Sequence, residues 1–244
     1  MEKEPDYLLV RDIHSSIPFL WKDGLGYLLH PSVPVAEANC RIADLGTRTG
    51  IWLLDLARQV PDTTQLYGFD ISDSQYPHAK YLPHNVRLKV LDNLDLEPPK
   101  VLQETFDIVH LRLWLDGMPN GDPTALLSHA IKLLRPGGYI QWAEMDPLRG
   151  ITHGPDGEDW PNVANNIEEA FSFEQPWQSK MTSDLSCAVV HEMENNGSPY
   201  IAQKLKIHDV SIPPAYAEVF KGARLVQPFC ITIGKKPIQN SPFE

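Results

Sequence analysis

Between residues 41 and 146 the chain alternates short, nearly continuous apolar runs with stretches whose apolar residues recur at helical spacing. RIADLG (41–46), QLYGFDI (65–71), VRLKVLD (86–92), FDIVHLRLW (106–114) and YIQWAEMD (139–146) read as strands. GIWLLDLARQ reads as a helix with Ile51, Leu54, Leu56 and Ala57 toward one side, stopped near Pro61. DPTALLSHAIKLL (122–134) is a second helix. Asp122 is placed to cap it, Pro123 suits its first turn, and Leu126, Leu127, Ala130, Ile131 and Leu134 form a stripe that RPGG ends. Apolar strands alternating with helices imply an α/β fold with a parallel sheet covered on both faces. Such sheets bind ligands at the carboxyl ends of their strands, where strand order reverses. Here those ends read Gly46, Asp70, Asp92, His110 and Glu144.

The flanks break the alternation. FLWKDGLGYLLH (19–30), closed by PSVP, makes residues 1–38 an N-terminal helical cover on a domain spanning 39–244. Within that domain, residues 147–200 read as a helical lid insertion. WPNVANNIEEAFSF (160–173) and SDLSCAVVHEMENNG (183–197) are its two helices, joined through EQPWQ. KLKIHDVSI (204–212) and FCITIGKK (229–236) make a final strand pair. Trp160, Phe171, Phe173 and Trp177 are candidates for an apolar pocket wall, although for each taken alone core packing is the stronger explanation.

Charge narrows the partners. The 244 residues carry 32 acidic and 21 basic side chains, a net charge of −11, with no Lys/Arg cluster. Nucleic acid is therefore not the expected ligand, because phosphate binding needs clustered positive charge. No run reaches the roughly 18 apolar residues of a membrane span. MEKEPDY is acidic with no apolar signal core behind it, which suggests a cytoplasmic protein. Three widely spaced cysteines, Cys40, Cys187 and Cys230, give neither a disulfide framework nor a zinc site, and no metal motif occurs among nine histidines.

The stretch ADLGTRTGIW is a strand, a glycine turn and a helix start. The dinucleotide fingerprint would be G-x-G-x-x-G, and only Gly46 and Gly50 are present here. Asp70 follows 20 residues after Gly50, where a carboxylate can accept both hydroxyls of a ribose. Asp92 ends the next strand, where it can accept from an adenine amino group. Together these acids after a glycine turn favour an adenosine site.

ADLGTRTGIW, YGFDIS, VLDN, FDIVHLRL and LLRPGGYIQWAEMD, in this order, resemble the class I S-adenosylmethionine-dependent methyltransferases, and within them the fungal secondary-metabolism branch. The resemblance covers about residues 40–146. It implies a Rossmann-like, seven-stranded sheet with helices on both faces and an antiparallel last strand. It implies S-adenosylmethionine as cofactor, with Asp44, Gly46, Thr47 and Gly50 along the methionine end. Asp70 and Ile71 would hold the ribose and flank the adenine, Asp92 and Asn93 would read its edge, and His110 with Leu111 would lie near the sulfonium. The family has glycine where this chain has Arg48. A guanidinium ~5 Å from a sulfonium at an effective dielectric of ~20 would cost about 3 kcal/mol. Arg48 thus repels the cofactor, pairs with its carboxylate, or points to solvent.

Methyl transfer is an in-line displacement that needs positioning, water exclusion and sometimes a base. The candidate bases are His110, Glu144 and His153, with His14 and His30 as further possibilities. The expected activity is O- or N-methylation of a small, largely apolar secondary metabolite. Two alternatives stay open: an enzyme on the same fold that no longer methylates and runs a cyclisation, isomerisation or pericyclic step, and a non-catalytic regulator. The sequence leaves the oligomeric state open.

Overall fold

The computed structural model describes residues 22, 25–35, 39–114, 117–145, 151–153, 159–160, 224–226 and 229–238. The chain forms two compact units. The first comprises Tyr27–Trp114, Asp122–Ala143 and Ile231–Glu244. Its strands are β1 (Arg41–Leu45), β2 (Gln65–Asp70), β3 (Val86–Val90), β4 (Phe106–Arg112), β5 (Leu134–Met145) and β9 (Phe229–Lys235), the last two running beyond the unit's bounds. Helix α1 (Ile51–Leu56) follows β1, and α2 (Thr124–Leu133) precedes β5. The sheet order is β3-β2-β1-β4-β5-β9, with parallel pairing from β3 through to β5. The order reverses between β1 and β4, and a crevice at the carboxyl ends there is the binding place of such sheets.

Central strands in this arrangement are buried on both faces, which is why β4 is buried from Phe106 to Leu111. A cluster under α1 gathers Leu28, Cys40, Ile42, Trp52, Leu53, Leu56, Leu66 and Ile108. The expected stripe on this helix is met in part, by Leu56 within the cluster and by Leu54 and Ala57 packed against it. Trp52, Leu53 and Leu56 are its buried residues, while Ile51, Leu54 and Ala57 are partly exposed. On α2, Leu126, His129, Ala130 and Leu133 face inward, and Ile131 stays 47% exposed. Asp122 caps that helix from two residues before its start, accepting from the Thr124 amide at 2.9 Å. The helix ends at Leu133, and β5 begins at Leu134 rather than at Tyr139, so RPGG lies within the strand instead of forming a separate stop.

Six strands make this sheet among the described residues, where the resemblance implies seven. The expected strand 204–212 and the expected helix 183–197 lie outside those residues. Trp160 closes strand β7 instead of opening a helix, and the rest of the 160–173 helix is outside them too. In the N-terminal cover, Lys22 and Leu25 are helical, but the helix does not extend to His30. Gly26, at φ 75°, ends it, and Tyr27–His30 is irregular.

The second compact unit comprises Met1–Gly26, Leu115–Gly121 and Glu144–Cys230. It holds a three-stranded sheet of β6 (Ile151–His153), β7 (Asp159–Trp160) and β8 (Arg224–Val226), ordered β7-β6-β8 with antiparallel pairing. Among the described residues no helix is long and apolar enough to cross a membrane.

Candidate functional site

The strand register lines up Leu88, Gly68, Asp44, His110 and Gln141 at one level across β3, β2, β1, β4 and β5. Three of these are polar and buried, with Asp44 4%, His110 1% and Gln141 2% exposed. Buried polar groups need partners, and each of the three has one. His110 Nδ1 lies 2.7 Å from Asp44 Oδ1. Gln141 donates to the Leu28 carbonyl at 2.9 Å and accepts from the His30 amide at 2.8 Å. The His30 ring itself pairs with Ser32. Trp52 of α1 stacks flat on His110, with ring centroids 3.8 Å apart and planes 3° from parallel.

Burial draws the His110 imidazole below its ordinary value of 6.5; Asp44 opposes this and Arg112 adds to it. The ring is therefore neutral at pH 7. A carboxylate only accepts, so the proton is on Nδ1 and Nε2 is the basic nitrogen. The unfolded chain binds a proton here before the folded one does. The stability this burial carries is present above about pH 6.5 and lost as pH falls below it. Thermal midpoints measured from pH 7.5 down to 5.5 should fall, and His110→Asn should flatten part of that slope. His129, whose value burial also lowers, accounts for a further part.

The β1–α1 loop has three residues of left-handed backbone at alternate positions: Gly46 (φ 71°), Arg48 (φ 53°) and Gly50 (φ 72°). The resemblance noted in the sequence implies glycine at all three of these positions, and Arg48 holds the middle one. An L-residue in that region costs roughly 1–2 kcal/mol. The loop is held by its own main chain. Gly46 and Thr47 both donate to the Phe69 carbonyl, at 2.8 and 3.0 Å, and the Arg48 amide donates to Asp70 Oδ2 at 2.8 Å. Asn93 Nδ2 reaches the same Phe69 carbonyl at 3.3 Å. Gly68 is required for this close approach, because a Cβ there would come within 2.7 Å of Thr47 and 2.6 Å of Leu88. We expect Arg48→Gly to stabilise the fold by about 0.5–1 kcal/mol, the left-handed strain relieved less the added freedom of the unfolded chain. Urea unfolding checks this, and Arg48→Val should move the midpoint the other way.

Several residues at this rim lie outside the sequence reading. Burial and the charge of Asp70 push the Tyr76 hydroxyl well above its ordinary range, so it stays a donor, bonded to the Lys89 carbonyl at 2.9 Å. Arg112 is two residues beyond His110 on β4, the spacing that returns a strand to the same face. Burial lowers its guanidinium from the ordinary value while Asp44 opposes the shift. Leu113, at φ 53°, breaks β4 short of the expected residue 114. Trp114 turns back to donate to the Leu45 carbonyl at 3.0 Å, its ring 3.0 Å from where a Gly46 Cβ would stand. A β-period count along β4 signals Arg112; nothing local signals the turn at Leu113.

The expected adenosine residues do gather at the ends of β2 and β3. Asp70 is half-buried, Ile71 beside it is 68% exposed, and Asp92 is exposed with Oδ1 accepting from the Leu94 amide at 2.9 Å. Asn93 is 3% exposed and its amide is turned inward. Leu111 is wholly buried in the core. Glu144 stands at the end of β5. His153 lies on strand β6 rather than in the loop that its glycines suggested. His14 is outside the described residues. Among those residues no His, Cys, Asp and Glu cluster has the makings of a metal site.

A family model described as a methyltransferase domain matches residues 18–176, well over half of the chain. The chain belongs to the methyltransferase family. The curated relatives that this chain matches include fungal proteins. It is 35% identical over 140 residues to the methyltransferase grgD of a Penicillium species, which covers 54% of this chain and 44% of the relative. It is 28% identical over 171 residues to the N-methyltransferase verN of Clonostachys rogersoniana, covering 70% of this chain and 57% of the relative. The chain thus spans about half the length of these relatives. Among solved structures, the [4+2]-cyclase SpnF aligns over 93% of this chain and 95% of its own with a TM-score of 0.51 and 15% identity, a likeness of fold.

Proposed function

We propose that this methyltransferase domain binds S-adenosylmethionine at the carboxyl ends of β1, β2 and β3 and methylates an oxygen or nitrogen of a small, largely apolar acceptor. The observation that carries this reading is the loop. Arg48 adopts the left-handed backbone of the family's glycine and its amide is latched to Asp70. An arginine at this position is therefore compatible with a left-handed turn closed on β2.

The residues present fit the cofactor. Thr47 Oγ1 and Asn93 Oδ1 are buried polar atoms without protein partners beside the loop. Asp70 accepts from Arg48 through Oδ2, while its Oδ1 is 3.5 Å from the Ser72 amide, a long contact that leaves it ready for ribose hydroxyls. Asp92 would accept from the adenine amino group, and exposed Ile71 would lie along the base. Asp44 gives Oδ1 to His110 and offers Oδ2 to the ammonium of the methionine end. When bound, the cofactor supplies a methyl group on a sulfonium for in-line displacement. His110 keeps Asp44 oriented and carries the basic nitrogen nearest the reversal of strand order. Trp52 keeps water from the imidazole.

The acceptor class is supported by relatives named N-methyltransferases, among them verN and tcpN of Claviceps purpurea. Calorimetric titration with S-adenosylmethionine and S-adenosylhomocysteine, with Arg48→Gly in parallel, tests the reading. Micromolar binding by the unmodified protein supports it. Absence of binding by both proteins would sink it and favour a reaction without a methyl donor on the same fold.

A further inference from the structure

Helix α2 carries a polar grip that the cofactor reading does not use. His129 is wholly buried among its apolar face. Its Nδ1 lies 2.6 Å from the Asp95 carbonyl, which only accepts, so Nδ1 carries the proton. Nε2 is buried and has no protein partner. A leucine would fill this space without leaving a buried nitrogen unpartnered. One turn on, Lys132 donates to the Leu96 carbonyl at 2.8 Å and pairs with Glu97. The two side chains hold consecutive carbonyls of one loop.

That loop carries Asp92. Asp92 Oδ1 accepts from the Leu94 amide and Asp95 Oδ1 from the Glu97 amide, two turns in series. Asn93 ties the near end to Phe69 of β2, while His129 and Lys132 tie the far end to α2. The exposed carboxylate of Asp92 stands on the near side of this loop, its backbone fixed from both directions.

We propose that His129, seconded by Lys132, is a positioning residue for nucleobase recognition: through the Asp95 carbonyl it sets Asp92 where its carboxylate meets an exocyclic amine. This rests on the adenosine reading given above. Neither side chain touches the ligand.

The test compares S-adenosylhomocysteine with S-inosylhomocysteine, in which the base's amine is replaced by an oxo group. The unmodified protein should prefer the amine by roughly tenfold to a hundredfold, the range of one hydrogen bond to a charged group. His129→Leu should cut that preference below threefold while leaving affinity for the inosine compound within threefold. His129→Asn, whose amide nitrogen takes the place of Nδ1, should restore it. If His129→Leu does not fold, Lys132→Met carries the test and should lower the preference at least threefold. Full preference retained in the folded variants, or an equal loss for both compounds, overturns the proposal. Equal binding of both by the unmodified protein also overturns it while leaving the adenosine site standing. Binding of neither compound removes the adenosine reading itself.

Discussion

Asp70→Ala is expected to weaken S-adenosylhomocysteine binding by two to three orders of magnitude. Two contributions combine. The first is the loss of carboxylate bonds to a ribose diol. Each hydrogen bond to a charged group is worth about 1.5–3 kcal/mol, so two at the lower end of that range give about 3 kcal/mol, a hundredfold or more. The second is the release of the Arg48 amide, which Asp70 Oδ2 holds at 2.8 Å. Asp70→Asn separates the two. Its amide oxygen can still take the Arg48 N–H, but only one acceptor and no charge remain, so a loss of about tenfold is expected. Calorimetry on both variants decides. An alanine effect under threefold would mean that the ribose lies elsewhere.

Trp52→Ala carries the largest expected effect on stability, about 3–5 kcal/mol, the usual range for a buried aromatic cut to alanine. Trp52 is 2% exposed, within the cluster under α1 and flat against His110. Truncation opens a cavity and brings water to the imidazole. The second consequence has its own signature. With desolvation eased, the His110 value should return toward 6.5, and less stability should be lost between pH 6.5 and 5.5. Trp52→Phe should keep most of the stability. Urea midpoints at pH 7.5 and 5.5 measure both effects, and a variant with the unmodified pH slope would separate Trp52 from the histidine.

The central strands of the first sheet were legible because parallel strands buried on both faces give nearly unbroken apolar runs, and edge strand β3 because Val86, Leu88 and Val90 alternate with Arg87 and Lys89. The acids at their ends were legible because polar residues stand out there. Side choice on the helices was not. Six residues of α1 make fewer than two turns, too few for periodicity to pick Trp52 and Leu53 over Ile51 and Leu54. On α2 the inward place assigned to Ile131 is taken by His129, whose partner is a carbonyl 34 residues away. The pairing of His110 with Asp44 was equally hidden, because it depends on the β1–β4 register across 66 residues. The early exit from β4 at Leu113 has no local marker, since nothing about a leucine announces left-handed backbone.

The middle of the β1–α1 loop is latched to the end of β2 through its peptide amide. Descent with modification can therefore try many residues at position 48 without dismantling the latch on β2. Glycine, asparagine and aspartate keep both the amide and an affordable backbone; arginine keeps the amide at some strain. Proline, with no N–H and a fixed φ, is closed to the lineage, and branched residues nearly so. An arginine there keeps the latch on β2 while carrying backbone strain that a glycine would not.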